Sequence, residues 1–168
     1  MTEKSEPPFP LPPGYDALGE ARRLLRAAHA ATLATLLPGG FPMATLTTVA
    51  SDDDGSPILL ASQLSTHTRN LDADGRCSLL LADIGKGDPL AHPRLTVQGV
   101  ATRVADPAVR TRVRARFLAH NPKAALYADF GDFSFWLVAI GRIYLNGGFG
   151  KAAEFDGVDI LERQESKT

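Results

Sequence analysis

Short turns join the first β-strand segments of this chain, and they constrain its fold more than any other sequence feature. Residues 31–37 and 43–50 each alternate apolar and polar side chains, and a Pro-Gly-Gly turn at residues 38–40 separates them. The acidic turn at residues 52–55 leads into an apolar run at residues 57–61. A parallel strand pair needs a crossover of about a dozen residues or more, so these segments are predicted to pair antiparallel.

The rest of the pattern predicts a mainly β fold with helices, of the α+β class. Further strands are expected at residues 77–82, 94–104 and 133–145. Gly99 marks a bulge or bend in the second of these, and the third is either one bent strand or two strands. Helical patterns occupy residues 16–30, 66–74 and 107–121. About six strands with helices between hairpins favour an antiparallel barrel with flanking helices.

The chain divides into an arm, one domain and a tail. Its 168 residues suffice for one well-buried core, which we expect at residues 15–160. Five prolines within residues 1–14 predict a flexible, extended arm. Residues 161–168 are predicted to form a polar tail.

Charge and composition argue against several classes of function. A net charge of -1 gives no reason to expect nucleic-acid binding, and no apolar run approaches the roughly 20 residues that cross a membrane. The single cysteine, Cys77, excludes an intramolecular disulfide and fits a reducing cytoplasm. We expect it to be an inert core thiol. His29, His92 and His120 lack the spacing of paired metal ligands, so no metal site is predicted.

A donor-rich turn follows the strand at residues 57–61. Ser62, Thr66, His67 and Thr68 place hydroxyl groups and an imidazole where the strand passes into a helix. The free N–H groups and positive dipole end of such a junction suit a phosphate. The alternative is a solvated helix face with no ligand.

Ordered motifs resemble the pyridoxamine 5'-phosphate oxidase-like, FMN-binding split-barrel family, and within it the haem-utilisation branch. The resemblance spans about residues 16–155. It is carried by Ser62-x-Leu64-x-Thr66-His67-Thr68-x-Asn70-Leu71, Arg76-Cys77-Ser78-Leu79-Leu80, Asp88-Pro89-Leu90, Pro93-Arg94-Leu95-Thr96-Val97-x-Gly99 and Gly147-Gly148-Phe149-Gly150. It implies a six-stranded antiparallel split β-barrel of the FMN-binding type and a homodimer with FMN at the subunit interface.

The resemblance also implies site residues. Ser62 and Leu64 match positions that touch the flavin or its ribityl chain, and Thr66, His67 and Thr68 match the phosphate-binding turn. Arg94 matches a position facing the ring, and Thr47 one whose backbone meets the pyrimidine edge. From the residues alone, Arg94 is equally suited to an ion pair with Asp88 or Asp83. Lys151 either reaches over a flavin of the partner subunit or simply follows glycines that let the chain leave a strand.

Two departures from the family pattern bear on activity. The C-terminal Arg-x-His pair with which true pyridoxamine phosphate oxidases bind substrate is absent, and no histidine follows His120, although haem-degrading relatives take an iron ligand from a C-terminal segment. The expectation is therefore an FMN-binding protein, a flavin-dependent oxidoreductase acting on an unknown small molecule. The alternatives are a haem-binding or haem-utilisation protein and a non-enzymatic flavin carrier.

Overall fold

The computed structural model describes residues 10–161. Its helices are α1 (Ala17–Ala27), α2 (Thr66–Ala73), α3 (Pro107–His120) and α4 (Gly157–Ile160), with short 3-10 helices at Pro89–Ala91 and Pro122–Leu126. Its strands are β1 (Ala30–Leu36), β2 (Pro42–Ser51), β3 (Pro57–Ser62), β4 (Arg76–Ala82), β5 (Arg94–Arg103), β6 (Phe133–Asn146) and β7 (Ala152–Asp156). Of the predicted arm, residues 1–9 lie outside the described part, as do residues 162–168 of the predicted tail.

The strands form one antiparallel sheet that closes on itself. Their order is β3-β2-β1-β4-β5-β6-β7, and β3 also pairs with β6. This second pairing closes six strands into a barrel and leaves β7 as an addition to the far half of β6. The predicted six-stranded antiparallel barrel with flanking helices is confirmed.

The long strand β6 makes closure possible because it serves two neighbours on one edge. Its first residues pair with β3, and its last five pair with β7. On its other edge, β5 shifts register between Gln98 and Gly99. A Cβ at Gly99 would lie 2.3 Å from the carbonyl oxygen of Ala139, so only glycine fits this bulge. The predicted bulge is confirmed, and the last strand segment is one strand.

The barrel interior is filled by alternate residues of each strand. Leu33, Leu79, Val97 and Ile143 are aligned by the register across four neighbouring strands, and each is fully buried. A second core forms outside the barrel, where Phe117 of α3 packs edge-on against Phe135 of β6. The period-two burial is what the sequence alternation predicts.

The two ends of the barrel are closed by different helices. Helix α1 lies at the end where β1 and β5 begin, and its Leu25 carbonyl accepts a hydrogen bond from Ser51 at the end of β2. Helix α2 lies at the opposite end, where β3 stops and β4 starts. We call these the α1 end and the α2 end. No helix in the described part of the chain is long and apolar enough to cross a membrane.

One strand and one helix were not predicted from the sequence. Strand β7 follows the glycine-rich segment, and α4 follows β7 directly. Helix α4 is tied back to α1, because the Arg22 guanidinium donates to the carbonyl oxygens of Ile160 at 3.1 Å and Asp159 at 3.0 Å. The glycine-rich segment is thus a connection between paired strands.

Candidate functional site

Ser62 is held by an aspartate that sequence reasoning did not single out. Its hydroxyl donates to Oδ2 of Asp132 at 2.5 Å and accepts from the Leu64 N–H at 3.1 Å. The Gln63 N–H donates to the Asp132 carbonyl at 2.7 Å. Asp132 lies 70 residues further along the chain, just before β6. It anchors the turn between β3 and α2, and it places a carboxylate beside Ser62.

Thr66 and Arg69 hold each other at the start of α2. The Arg69 guanidinium donates to the Thr66 hydroxyl and to the Leu64 carbonyl, both at 3.0 Å. The Leu64 side chain is 81% exposed. The N-cap residue Ser65 makes no side-chain capping bond. The first turn of α2 therefore lacks the side-chain acceptor that usually satisfies its N–H groups.

His67 is half-buried and oriented by a neighbouring strand. Its Nδ1 lies 3.2 Å from the hydroxyl of Thr45 on β2, and that hydroxyl donates to the Leu33 carbonyl at 3.4 Å. A hydroxyl has one proton; with that proton on the Leu33 carbonyl, the imidazole donates from Nδ1 and keeps its lone pair at Nε2. Burial lowers the pKa of His67 below its usual value, which favours the neutral ring.

Thr68 points the other way, into the protein. Its side chain is fully buried, and Oγ1 has no hydrogen-bond partner within residues 10–161. Asn70, also buried, donates to the Thr35 hydroxyl at 3.0 Å. Of the hydroxyl and imidazole side chains in this turn, those of Ser62, Ser65, Thr66 and His67 are partly exposed, and that of Thr68 is not.

Thr47 lies on β2 at the place where the barrel splits. It sits opposite Ala31 of β1 and is 9% exposed, and its hydroxyl contacts the Thr48 carbonyl at 3.3 Å. The register between β2 and β3 covers only Val49, Ala50 and Ser51 of β2. The edge of β2 that carries Thr47 is thus left unpaired by β3, on the side toward α2.

Arg94 and Lys151 line a cleft at the α1 end, with a volume of about 260 Å³. The Arg94 guanidinium donates to the carbonyls of Leu90 at 3.1 Å and His92 at 3.4 Å; it does not pair with Asp83 or Asp88. The Lys151 ammonium lies 5.1 Å from the centre of the Tyr15 ring. The cleft also contains the exposed ring of Phe149. The Arg94 and Lys151 cations of this cleft therefore lie beside aromatic rings and backbone carbonyl groups.

The predicted site residues therefore form two groups at opposite ends of the barrel. Arg94 begins β5 at the α1 end, whereas Arg103 ends β5 at the α2 end, where it bonds Asp72 of α2. At about 3.3 Å per residue, the ten residues of β5 separate the two groups by roughly 30 Å. One chain does not bring Arg94 and Lys151 to the turn that holds Ser62, Leu64, Thr66 and His67.

Two rows of the outer sheet face carry no charge from β2 to β5. Register aligns Leu46, Thr32, Leu80 and Thr96 in one row and Ala44, Ala34, Ser78 and Gln98 in the next. Leu46 is 78% exposed and Leu80 41% exposed. We call these two rows the outer face. A cleft of about 440 Å³ borders it and reaches Cys77, whose burial raises the thiol pKa to about 11.

The other histidines are engaged elsewhere. The rings of His29 and His120 stack at 4.0 Å, and Nε2 of His120 lies 2.8 Å from the Ala28 carbonyl. His92 Nε2 lies 3.0 Å from the Lys86 carbonyl in an exposed loop. Within residues 10–161, no three His, Cys, Asp or Glu side chains group as a metal site.

The arginine-rich helix α3 carries ion pairs and no basic face. Arg110 and Arg114 pair with Asp129, Arg112 with Asp52, and Arg116 with Asp53. The four guanidinium groups are thus compensated by three aspartates of this chain.

The fold and the divided site define a split-barrel protein, and comparison with known proteins gives the family. The pyridoxamine 5'-phosphate oxidase family model matches residues 17–147. The chain belongs to this pyridoxamine 5'-phosphate oxidase-like family, as the sequence motifs indicated.

Several of the similar proteins are described as haem proteins. The chain is 43% identical over 98 residues to the chloroplastic non-canonical haem oxygenase HOZ of Arabidopsis thaliana, a match covering 57% of this chain and 29% of that protein. A haem-binding protein of Mycobacterium smegmatis superposes with a TM-score of 0.80 at 33% identity, over 87% of this chain and 60% of that one. HutZ of Vibrio cholerae, a haem storage protein, shares the fold with a TM-score of 0.61 at 20% identity, over 71% of this chain and 87% of that one. The chain thus spans less than two thirds of the first two relatives.

Proposed function

We propose that this protein binds haem between the two subunits of a homodimer. The observation that carries the proposal is the split of the site residues between the two barrel ends, on either side of an uncharged sheet face. The relatives described as haem oxygenase and haem-binding protein support haem as the ligand. Haem has an apolar ring, an iron that takes an axial side-chain ligand, and carboxylate groups.

The proposal requires the two subunits to associate through the outer face. Leu46 and Leu80 are exposed in one row with only Thr32 between them, and neither row carries a charge from β2 to β5. Contiguous apolar surface of this kind is typical of an interface. In a dimer whose two-fold axis runs across the strands, the α1 end of one subunit lies beside the α2 end of its partner. Both halves of the site then meet, twice per dimer.

The residues fit haem in chemical type. Leu64 offers exposed apolar surface, the Arg94 and Lys151 cations suit carboxylates, and His67 has a ring nitrogen without a partner in the described residues. Thr45 fixes the imidazole and Asp132 fixes the turn before it. When bound, haem supplies a redox-active iron that takes small ligands. The chain's own residues would bind the ring, orient it and exclude water.

A spectroscopic titration tests this proposal. Hemin added to the purified protein is expected to give a sharp Soret band that saturates at two haems per dimer. The bound haem is expected to elute together with the protein on gel filtration. Haem uptake that does not saturate, or the absence of a Soret band, would contradict the proposal. Adding a reductant and oxygen to the loaded protein then separates binding from ring cleavage, because cleavage bleaches the Soret band.

FMN is the second candidate, with flavin-dependent oxidoreductase activity on a small molecule. The first turn of α2 without a side-chain cap and the unpaired edge of β2 at Thr47 favour it, because they leave backbone groups for a phosphate and for the pyrimidine edge of a flavin. A carrier without turnover is the non-enzymatic form of this candidate. FMN titration followed by NADPH distinguishes the forms: quenched fluorescence shows binding, and bleaching of the flavin absorbance shows reduction. The single thiol suits a reducing compartment such as the cytoplasm.

A further inference from the structure

The four histidines of this chain lie in different surroundings, although each has one ring nitrogen on an oxygen of the protein. His29 and His120 stack on each other, and each has a ring nitrogen on an oxygen of the protein: Asn121 Oδ1 for His29 and the Ala28 carbonyl for His120. His92 has its Nε2 on the Lys86 carbonyl. His67 has its Nδ1 at the Thr45 hydroxyl, and it is the histidine that lies at the start of α2, next to the candidate turn.

The contact of His67 with Thr45 has the form of a supported metal ligand. In protein metal sites, a ligating imidazole commonly donates its other ring N–H to an oxygen, which fixes the tautomer and the ring plane. Here Nδ1 lies 3.2 Å from the Thr45 hydroxyl, and that hydroxyl donates onward to the Leu33 carbonyl at 3.4 Å. Leu33 is fully buried in β1. The chain of contacts therefore connects His67 to a rigid strand of the barrel.

Other side chains with iron-ligating chemistry are less available. The Cys77 thiol is buried in the barrel core, 9% exposed. The sulfur of Met43 is 3.9 Å from the Asn70 amide nitrogen. The Tyr144 hydroxyl donates to the Gln98 side chain at 3.3 Å. His67 is set apart by its place: it is partly exposed at the α2 end, three residues after Leu64, whose side chain is exposed.

We propose that Nε2 of His67 is an axial ligand of the haem iron and that Thr45 positions it. This inference rests on the proposed haem binding. It takes the ligand from the segment where β3 passes into α2. His67 would then hold the iron from the α2 end of one subunit, and Arg94 and Lys151 of the other subunit would bind the carboxylates.

The test compares haem complexes of wild type, His67→Ala and the control His92→Ala by absorbance and electron paramagnetic resonance. His67→Ala is expected to lose the nitrogen-ligated signature and to release haem at least about 10-fold more readily, while His92→Ala keeps the wild-type spectrum. Free imidazole is expected to restore the signature in His67→Ala. Thr45→Val keeps the ligand and shifts the spectrum through loss of the Nδ1 contact. Circular dichroism of each apoprotein confirms that the variants fold.

Two negative results are distinguishable. If wild type takes up no haem, the proposed function fails, and the ligand assignment fails with it. If wild type binds haem and folded His67→Ala shows the same spectrum and affinity, haem binding stands and the assignment of His67 is overturned.

Discussion

The Asn70 amide donates a hydrogen bond to the Thr35 hydroxyl over 3.0 Å, and this contact joins α2 to the end of β1 inside the barrel. Both residues are buried, at 4% and 2% exposure. The bond therefore fixes the helix that carries His67 against the strand that pairs with β2. A polar contact at this depth gives α2 one position on the barrel.

Asn70→Ala is expected to lower the free energy of unfolding by about 1–3 kcal/mol, because it leaves the Thr35 hydroxyl buried without this partner. Urea unfolding measures the loss. Thr35→Val in the same background serves as the control, since removing both partners is expected to cost less than the sum of the single changes. Additive costs would show that the two groups are not coupled.

Two arginines of α3 offer a matched pair for measuring the effect of burial on ion-pair strength. Arg112 pairs with Asp52, whose side chain is 6% exposed, and Arg114 pairs with Asp129, whose side chain is 54% exposed. We expect Arg112→Met to lower the free energy of unfolding by about 1–3 kcal/mol, because it leaves a buried carboxylate unpaired, and Arg114→Met to lower it clearly less, because solvent screens the exposed pair. Equal values in thermal and urea unfolding would contradict this.

The outer face is tested by a charge placed on it. Leu46→Glu is expected to give a monomer by light scattering, because a buried unpaired carboxylate opposes the proposed interface. Leu126, 79% exposed beside α3, matches the 78% exposure of Leu46 but lies off the outer face. Leu126→Glu is therefore expected to remain dimeric. A dimeric Leu46→Glu variant would place the interface elsewhere.

Cys77 is expected to react slowly with thiol reagents. Burial raises its pKa to about 11, so the folded thiol stays protonated at pH 8, where the unfolded thiol is already partly ionised. For an acid whose folded pKa is raised, stability is lost as pH rises from the unfolded pKa near 9 toward 11. Iodoacetamide labelling with and without urea measures the difference, and Cys77→Ala gives the blank. Equal labelling rates in the two conditions would show an accessible thiolate.

The barrel could be predicted because its strands are local and regular. Alternation in β1 and β2 with short turns fixed their pairing, and Gly99 signalled the bulge that the backbone of Ala139 requires. Strand β7 was missed because Ala152–Asp156 is short and becomes a strand only by pairing with the end of β6. Closure through β3 and β6 joins segments far apart in sequence, which no local pattern encodes.

The site was harder to predict because its order depends on distant contacts. The motif identified the turn between β3 and α2, but not that Asp132 occupies the Ser62 hydroxyl or that Thr68 faces inward. An aspartate before a long strand carries no local signal of this role. Nor did the sequence reveal that Arg94 and His67 lie at opposite ends of the barrel, because that separation follows from the order and direction of the paired strands.

A mixed dimer tests most directly whether two subunits complete each site. One subunit carries His67→Ala and the other carries both Arg94→Ala and Lys151→Ala, and the two are purified together through different affinity tags. If each site takes His67 from one chain and the cations from its partner, the mixed dimer has one intact site and one doubly altered site. It is expected to bind one haem with wild-type affinity, whereas neither parent dimer binds any so tightly. A mixed dimer with no wild-type site would contradict the account.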